Sequence, residues 1–161
     1  MTPIRLATPE DAPPIAALSR DLIEIELGWS YTPRRVLGLL RQQETCSIVA
    51  DDGGGIAGFA IMSFHDEHAH LALLAVAPRR QGSGIGSRLL AWLEDSARTA
   101  GLFTIHAEVR SRNTSARKFY RARGYVERCE MLGYYRGLES AIRLEHDLRC
   151  IQPHTTPGSN P

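Results

Sequence analysis

The sequence predicts one α/β (α+β) domain with the element order β-α-α-β-β-β-α-β-α-β-β. Its sheet is expected to be mixed but mostly antiparallel, with about seven strands and four helices. Three observations carry this expectation. Apolar runs of strand length, over residues 46–50, 56–64 and 70–76, follow one another across turn signals. Helical spacing appears after residue 84, where Ile85, Leu89, Leu90, Leu93 and Ala97 fall on one face. Further strand-like and helical stretches then alternate to residue 148. With 161 residues, 43% hydrophobic and 23% charged, the chain can bury one sizeable core.

Taken in order, residues 3–7 read as a short first strand. Thr8 suits an N-cap, and Ile15, Leu18, Leu22 and Ile23 share one side of a helix over 9–27. Gly28-Trp29-Ser30-Tyr31 breaks it, and Thr32-Pro33 reads as cap and first position of a second helix to about Gln43. The strands over 46–50 and 56–64 are joined by Asp51-Asp52-Gly53-Gly54-Gly55, a strong turn signal. The strand over 70–76 follows the polar corner His65-Asp66-Glu67-His68 and stops at Pro78. The helical face that begins at Ile85 runs to Gly101, a C-cap. Residues 103–109 are strand-like, and 113–123 form a short helix with Asn113 near its cap and Gly124 after its end. Residues 125–132 and 139–148 are the closing strands. The segment RCIQPHTTPGSNP, residues 149–161, has no periodicity and predicts a disordered tail after a single domain over 1–148.

Composition narrows the function classes. A net charge of +1 gives no general reason to expect nucleic acid or an anionic membrane as partner. No apolar run approaches the ~18 residues of a membrane span, and no signal peptide is evident, so a cytoplasmic location is expected. Cys46, Cys129 and Cys150 are widely and irregularly spaced, which fits reduced thiols better than a disulfide framework or a zinc site. The cluster His65-Asp66-Glu67-His68-Ala69-His70 lacks an H-E-x-x-H pattern, and no metal is expected there. The basic residues comprise one lysine, Lys118, against 18 arginines.

The stretch RRQGSGIGSRLL, residues 79–90, places three glycines at the mouth of a helix, where glycine costs about 1 kcal/mol relative to alanine. Bare backbone between a strand and a helix builds an anion cradle from converging N–H groups and the helix dipole. The loop has no lysine for a P-loop, and its glycines at 82, 84 and 86 do not give G-x-G-x-x-G. A tight strand–helix turn without a ligand is the plain alternative.

Gln81, Gly84 and Gly86 match a pyrophosphate loop of the form Gln/Arg-x-x-Gly-x-Gly/Ala. The segment from Asn113 through Phe119-Tyr120 to Gly124-Tyr125 is similar to the signature N-x-x-A-x-x-F/L-Y-x-x-x-G-F/Y. With LLAVAP before the loop, the sequence resembles the GNAT family of N-acetyltransferases, closely over residues 70–126. HAEVRSRN at 106–113, Trp29-Ser30 and Gly133-Tyr134-Tyr135 look like its RimI-like branch, whose members acetylate protein N-termini, including that of a ribosomal protein.

The resemblance implies a GNAT-like fold, acetyl-coenzyme A as co-substrate, and direct attack of an amine without an acyl-enzyme. It implies that main-chain groups of Leu74, Ala75 and Val76 bind the pantetheine arm and polarise the thioester carbonyl. Gln81, Gly82, Ser83, Gly84, Ile85, Gly86 and Ser87 would hold the pyrophosphate, with Arg79, Arg80 and Arg88 near enough in sequence to assist. Tyr120 matches the tyrosine that protonates the departing sulfur and lies against the cofactor; without the motif it would read as a core residue beside Phe119. Asn113 would contact coenzyme A, or cap its helix, or both. Glu108 matches the general base, with partial burial expected to raise its pKa; an ion pair to Arg110 or a sheet neighbour is the competing reading. Trp29, Tyr31, Tyr134 and Tyr135 are candidate walls of the acceptor groove, with general core packing as the alternative. The helix residues Arg117, Lys118, Arg121 and Arg123 either meet the adenosine 3′-phosphate or form a solvated face.

The expected activity is acetylation of a primary amine, foremost the α-amine of a protein or peptide. A small amine (polyamine, amino acid or antibiotic) is the first alternative, and a coenzyme-A-binding regulatory domain without turnover is the second. A second copy of the chain remains a candidate partner.

Overall fold

A computed structural model describes residues 1–149, so the expected tail lies outside the described residues except for Arg149. Seven strands form one sheet: β1 (Ile4–Leu6), β2 (Thr45–Asp51), β3 (Ile56–Phe64), β4 (Ala69–Val76), β5 (Thr104–Arg110), β6 (Val126–Tyr135) and β7 (Glu139–Asp147). Their spatial order is β1-β2-β3-β4-β5-β7-β6. All neighbours run antiparallel except β4 and β5. Four α-helices, α1 (Ala12–Leu18), α2 (Pro33–Leu40), α3 (Ile85–Thr99) and α4 (Thr114–Ala122), complete the order expected from the sequence.

Helices cover the sheet on both faces, which is why the central strands read as nearly unbroken apolar runs. On one face Ile48, Ala60, Met62 and Leu71 pack with Leu89, Leu93 and Tyr120 of α3 and α4. On the other, Val49, Phe59, Ile61 and Leu73 pack with Ile15, Ala16 and Val36 of α1 and α2. The buried positions of α3 are Ile85, Leu89, Leu90, Leu93 and Ala97, the stripe set by the 3.6-residue period. Gly58 brings α3 close to the sheet: a Cβ there would stand 3.0 Å from the Ala75 carbonyl and 3.3 Å from Ile85 Cγ2.

The first helix is shorter than the 9–27 pattern suggests. Pro9–Asp11 make a 3₁₀ turn, α1 ends at Leu18, and Ser19–Ile23 form a π turn in which Glu24 N–H donates to Ser19 O at 2.8 Å. The Glu24 carboxylate stabilises this ending. It accepts from Ser19 Oγ at 3.1 Å, from Ser30 N–H and Oγ at 2.7 and 2.6 Å, and from Tyr31 N–H at 3.2 Å. Glu24 is only 8% exposed, and burying it without these donors would be unfavourable. The α1–α2 connection is thereby folded back over the sheet.

The parallel pair is the feature that positions the site. β4 and β5 are paired only at Ala69↔Ile105, His70↔His106 and Leu71↔Ala107. A bulge then shifts the β3–β4 register between Ile61 and Met62, while β5 stays paired with β7 as far as Arg110↔Ala141. The second half of β4 leaves β5, and the sheet splits between them.

Candidate active site

β4 lines one side of the split with backbone. Ala77 N–H donates to Ala57 O at 2.7 Å, so ladder alternation turns Ala75 toward β3 and Leu74 and Val76 toward the split. Of the three residues expected to bind with their main chain, Ala75 is therefore committed to the β3 side. The Val76 carbonyl accepts from Gln81 Nε2 at 3.0 Å. Gln81 thus ties the glycine loop to the end of β4, and its own N–H turns inward on Pro78 O at 3.4 Å.

Gly84, at φ +85°, is the N-cap of α3. The first N–H to close a turn of the helix belongs to Arg88, which donates to Gly84 O at 3.1 Å. Among the described residues, no acceptor is found for the N–H groups of Gly82, Ser83, Gly84, Ile85, Gly86 or Ser87. These are the orphan donors of a helix start, extended by the loop ahead of it. Among the described residues no atom stands within 4 Å of a Cβ built at Gly82 or Gly84, whereas one at Gly86 would lie 3.3 Å from the Phe119 ring. The loop is open outward and tightly backed by α4, as a diphosphate cradle requires.

Several side chains expected to assist are used elsewhere. Ser83 Oγ donates to Arg80 O. Arg80 binds Asp52 and Thr2 Oγ1, and Arg88 Nη1 donates to Thr2 O at 2.7 Å, so both hold the segment ahead of β1 and Arg80 also braces the β2–β3 turn. Arg117 and Arg121 pair with Glu127 at 2.8 and 3.4 Å, which makes that face of α4 structural. Arg123 is the exception. Its Nε is 3.0 Å from Ser87 Oγ and its guanidinium lies 3.8 Å over the Phe119 ring, which places a cation at the mouth of α3.

Tyr120 projects from α4 into the core on the α3 side of the sheet, 6% exposed. Its ring meets Phe119 and Tyr125 edge-on at 5.1 and 5.3 Å. No partner is found for its hydroxyl among the described residues. Burial, reinforced by the neighbouring Tyr135 phenol, pushes its pKa well above the ordinary tyrosine range, so it keeps its proton. Asn113 Oδ1 caps α4 by accepting from Ala116 N–H at 3.0 Å, and no partner is found for its amide hydrogens among the described residues.

Glu108 lies on the other face of the sheet. Its Oε2 is 2.6 Å from His70 Nε2, and its Oε1 is 3.1 Å from Nη2 of Arg143, its cross-strand partner. The expectation of a raised pKa is wrong here. Burial does push the carboxyl up, but His70 and Arg143 outweigh it and hold Glu108 below the usual carboxylate range. Arg110 instead pairs with Glu139 at 3.2 Å and donates to Ile23 O and Ile25 O. His70 and Arg143 come from separate strands, so their meeting at Glu108 has no local sequence signal beyond the histidine-rich corner.

The aromatic residues divide. Tyr134 is 45% exposed, and burial, then the Glu108 charge, raise its phenol above the ordinary range, with Tyr31 contributing. Tyr31 is pinned by Glu24 and carries the Arg35 guanidinium 4.0 Å over its ring. Tyr135 packs edge-on against Tyr134 at 4.9 Å. Trp29 is directed elsewhere: its Nε1 donates to Ala16 O at 3.2 Å, and Arg20 stacks on its ring, so it anchors the connection to α1.

The sequence matches the acetyltransferase (GNAT) family over residues 13–125. It is 30% identical over 130 residues to the aminoalkylphosphonate N-acetyltransferase of Salmonella typhimurium, covering 77% of this chain and 84% of that protein. It is 37% identical over 98 residues to the ribosomal protein bS18 alanine N-acetyltransferase of the same organism, covering 59% and 65%. The fold superimposes on Ard1 from Thermoplasma volcanium with a TM-score of 0.80 at 25% identity, covering 91% of this chain and 97% of that one. The split sheet, the open glycine loop and these likenesses agree: the chain belongs to the GNAT family of N-acetyltransferases and takes acetyl-coenzyme A as its co-substrate.

Proposed function

We propose that this chain acetylates the α-amine of a protein or peptide N-terminus, working as a single domain in the cytoplasm. Acetyl-coenzyme A supplies an acetyl group activated as a thioester. The N–H groups of residues 82–87 hold the diphosphate, with Arg123 adding positive charge beside Ser87. Outward main-chain groups of Leu74 and Val76 hold the arm in the split and polarise the carbonyl. Tyr120, kept protonated by burial, gives its proton to the departing sulfur. The acceptor enters on the Glu108 face between Tyr31 and Tyr134.

The observation that carries the choice of acceptor is the charge state of that face. A small polycation would need free carboxylates, yet Glu108 is already held by His70 and Arg143. A peptide end instead meets exposed aromatic surface at Tyr134. An α-amine, with an ordinary pKa near ~8, also asks less of a base than a lysine amine near ~10.4. The alanine N-acetyltransferase relative supports the same reading.

A second reading is favoured by one observation: Arg143 Nε is buried without a hydrogen-bond partner among the described residues. That orphan donor suits a small amine carrying an anionic group, the chemistry named for the aminoalkylphosphonate relative. Thiol release with acetyl-coenzyme A and two panels, peptides differing at the first residue and small amines with and without a phosphonate, separates the readings. Peptide-dependent release with kcat/KM at least tenfold above every small amine is the expected result. The reverse order would overturn the peptide reading, and tight cofactor binding without release to any amine would leave only a coenzyme-A-binding domain.

A further inference from the structure

Glu108 does not face the split alone. His70 stands on the middle rung of the short β4–β5 ladder, on the same face as Glu108, just before the strands part. Its Nε2 lies 2.6 Å from Glu108 Oε2, and its side chain is 32% exposed where that of Glu108 is 9% exposed. An ionised carboxylate can only accept, so the neutral imidazole carries its hydrogen on Nε2. No hydrogen-bond partner is found for Nδ1 among the described residues.

The geometry points to His70 as the group that takes the proton from the acceptor amine, with Glu108 and Arg143 as positioning residues that fix its tautomer. This rests on the proposed acetyl transfer and deepens it by naming the base. Glu108, less exposed and held below the usual carboxylate range, is a weak proton acceptor but a good orienter of an imidazole. In the step, Nδ1 takes one proton from the acceptor ammonium, and the freed amine attacks the thioester carbonyl carbon. The C–N bond forms and the C–S bond breaks, its electron pair leaving on sulfur, which takes the Tyr120 proton. The remaining surplus proton on the new amide nitrogen restores the Tyr120 phenol through solvent, and His70 releases its own proton to solvent.

Other charged and titratable groups surround this pair. In the β3–β4 turn, His68 stacks on His106 of β5 at 4.5 Å, and His106 Nε2 lies 3.8 Å from Glu145 of β7. On β6, Arg128 lies 3.6 Å from Glu145, and Tyr134 lies near Glu108. Arg110 of β5 is taken by Glu139, and Arg20 and Asp21 of the π turn pair with each other at 2.8 Å. Glu108 is thus the one carboxylate that hydrogen-bonds the His70 ring among the described residues.

The test compares wild type, His70→Asn and His70→Ala in acetyl-coenzyme A binding and in kcat/KM as a function of pH. The expected result is cofactor affinity unchanged within about twofold, with kcat/KM at pH 7 lowered about 100-fold. The ascending limb should disappear from both variants, and added imidazole should restore part of the His70→Ala rate. A His70→Asn enzyme within about twofold of wild type, with the same ascending limb, would overturn the proposal. Imidazole ¹⁵N NMR supplies an arm that needs no acceptor. The His70 ring should be the Nε2–H tautomer in wild type and a mixture in Glu108→Ala; a ring protonated on Nδ1, or unchanged in Glu108→Ala, overturns the dyad. Failure of the wild-type protein to turn over any amine would instead defeat the transferase reading, so the two failures remain distinct.

Discussion

Replacing Gly84 by alanine isolates what the left-handed residue at the mouth of α3 contributes. Gly84 has φ +85°, and no atom of the described residues stands within 4 Å of where a Cβ would go. Alanine is therefore opposed by backbone conformation alone, at about 1–2 kcal/mol. That strain has two outlets. If the loop keeps its shape, the folded protein loses that stability, seen as a Tm lower by about 2–8 °C, while acetyl-coenzyme A binds as before. If the loop relaxes, stability is spared and the N–H groups of Ile85, Gly86 and Ser87 swing out of alignment. Binding must then restore the strained shape, and Kd rises about 5- to 30-fold. Urea unfolding and calorimetric titration of the same preparation measure both outlets, and the two losses should sum to about 1–2 kcal/mol. Gly84→Asn is the control, since asparagine enters the left-handed region more readily, and it should lose less than alanine does. Gly84→Ala with stability and cofactor affinity both unchanged would refute the claim that this conformation shapes the loop.

Other perturbations address other parts of the site. Tyr120→Phe should lower kcat about 100-fold or more with little change in acetyl-coenzyme A Kd; steady-state thiol release with a titration checks it, and an unchanged kcat removes Tyr120 from the acid role. Arg123→Ala removes the guanidinium 3.0 Å from Ser87 Oγ, so Kd for acetyl-coenzyme A should rise about 3- to 10-fold, and its salt dependence should flatten in titrations at two ionic strengths. Glu24→Gln tests the buried carboxylate: burial pushes its pKa up, but donors from Ser30, Tyr31 and Ser19 prevail and hold it below the ordinary value. A depressed folded pKa stabilises above the unfolded value near ~4.3 and is lost as pH falls through the folded one, so the wild-type advantage in urea unfolding should be full at pH 7 and shrink toward pH 3; an equal gap at both refutes it.

What the sequence reveals about this site divides by distance along the chain. The α3 stripe and the glycine loop are legible because a period of 3.6 residues and a run of bare backbone are local properties. Tyr120 is legible only through its motif, since Phe119 beside it would serve equally well as a core residue. The surroundings of Glu108 are not legible: His70 lies 38 residues away and Arg143 lies 35 away, and only the strand register brings them together. The same holds for Arg80 and Arg88, which reach Thr2 across 78 and 86 residues and so leave the phosphate loop. Glu24 looks like one more helix residue until the π turn places it against its own backbone donors.

The short parallel ladder shows how the chemistry we propose can draw on both faces of the sheet. Tyr120 packs with the α3 side of the sheet, whereas Glu108 and His70 lie on the α1–α2 side. In an unbroken sheet the main chain would stand between them, and layers packed on it lie ~10 Å apart. A proton donor and a proton acceptor so divided can serve one reacting carbonyl only if that carbonyl sits within the sheet plane. The departure of β4 from β5 after Leu71↔Ala107 opens that position and leaves the outward main-chain groups of Leu74 and Val76 along its edge. The division also separates the two substrates: changes at Arg123 or Gly84 should act on the cofactor, and changes at Tyr31 or Tyr134 on the acceptor. Residues of the ladder itself, His70 foremost, should affect the chemical step while leaving both affinities nearly intact.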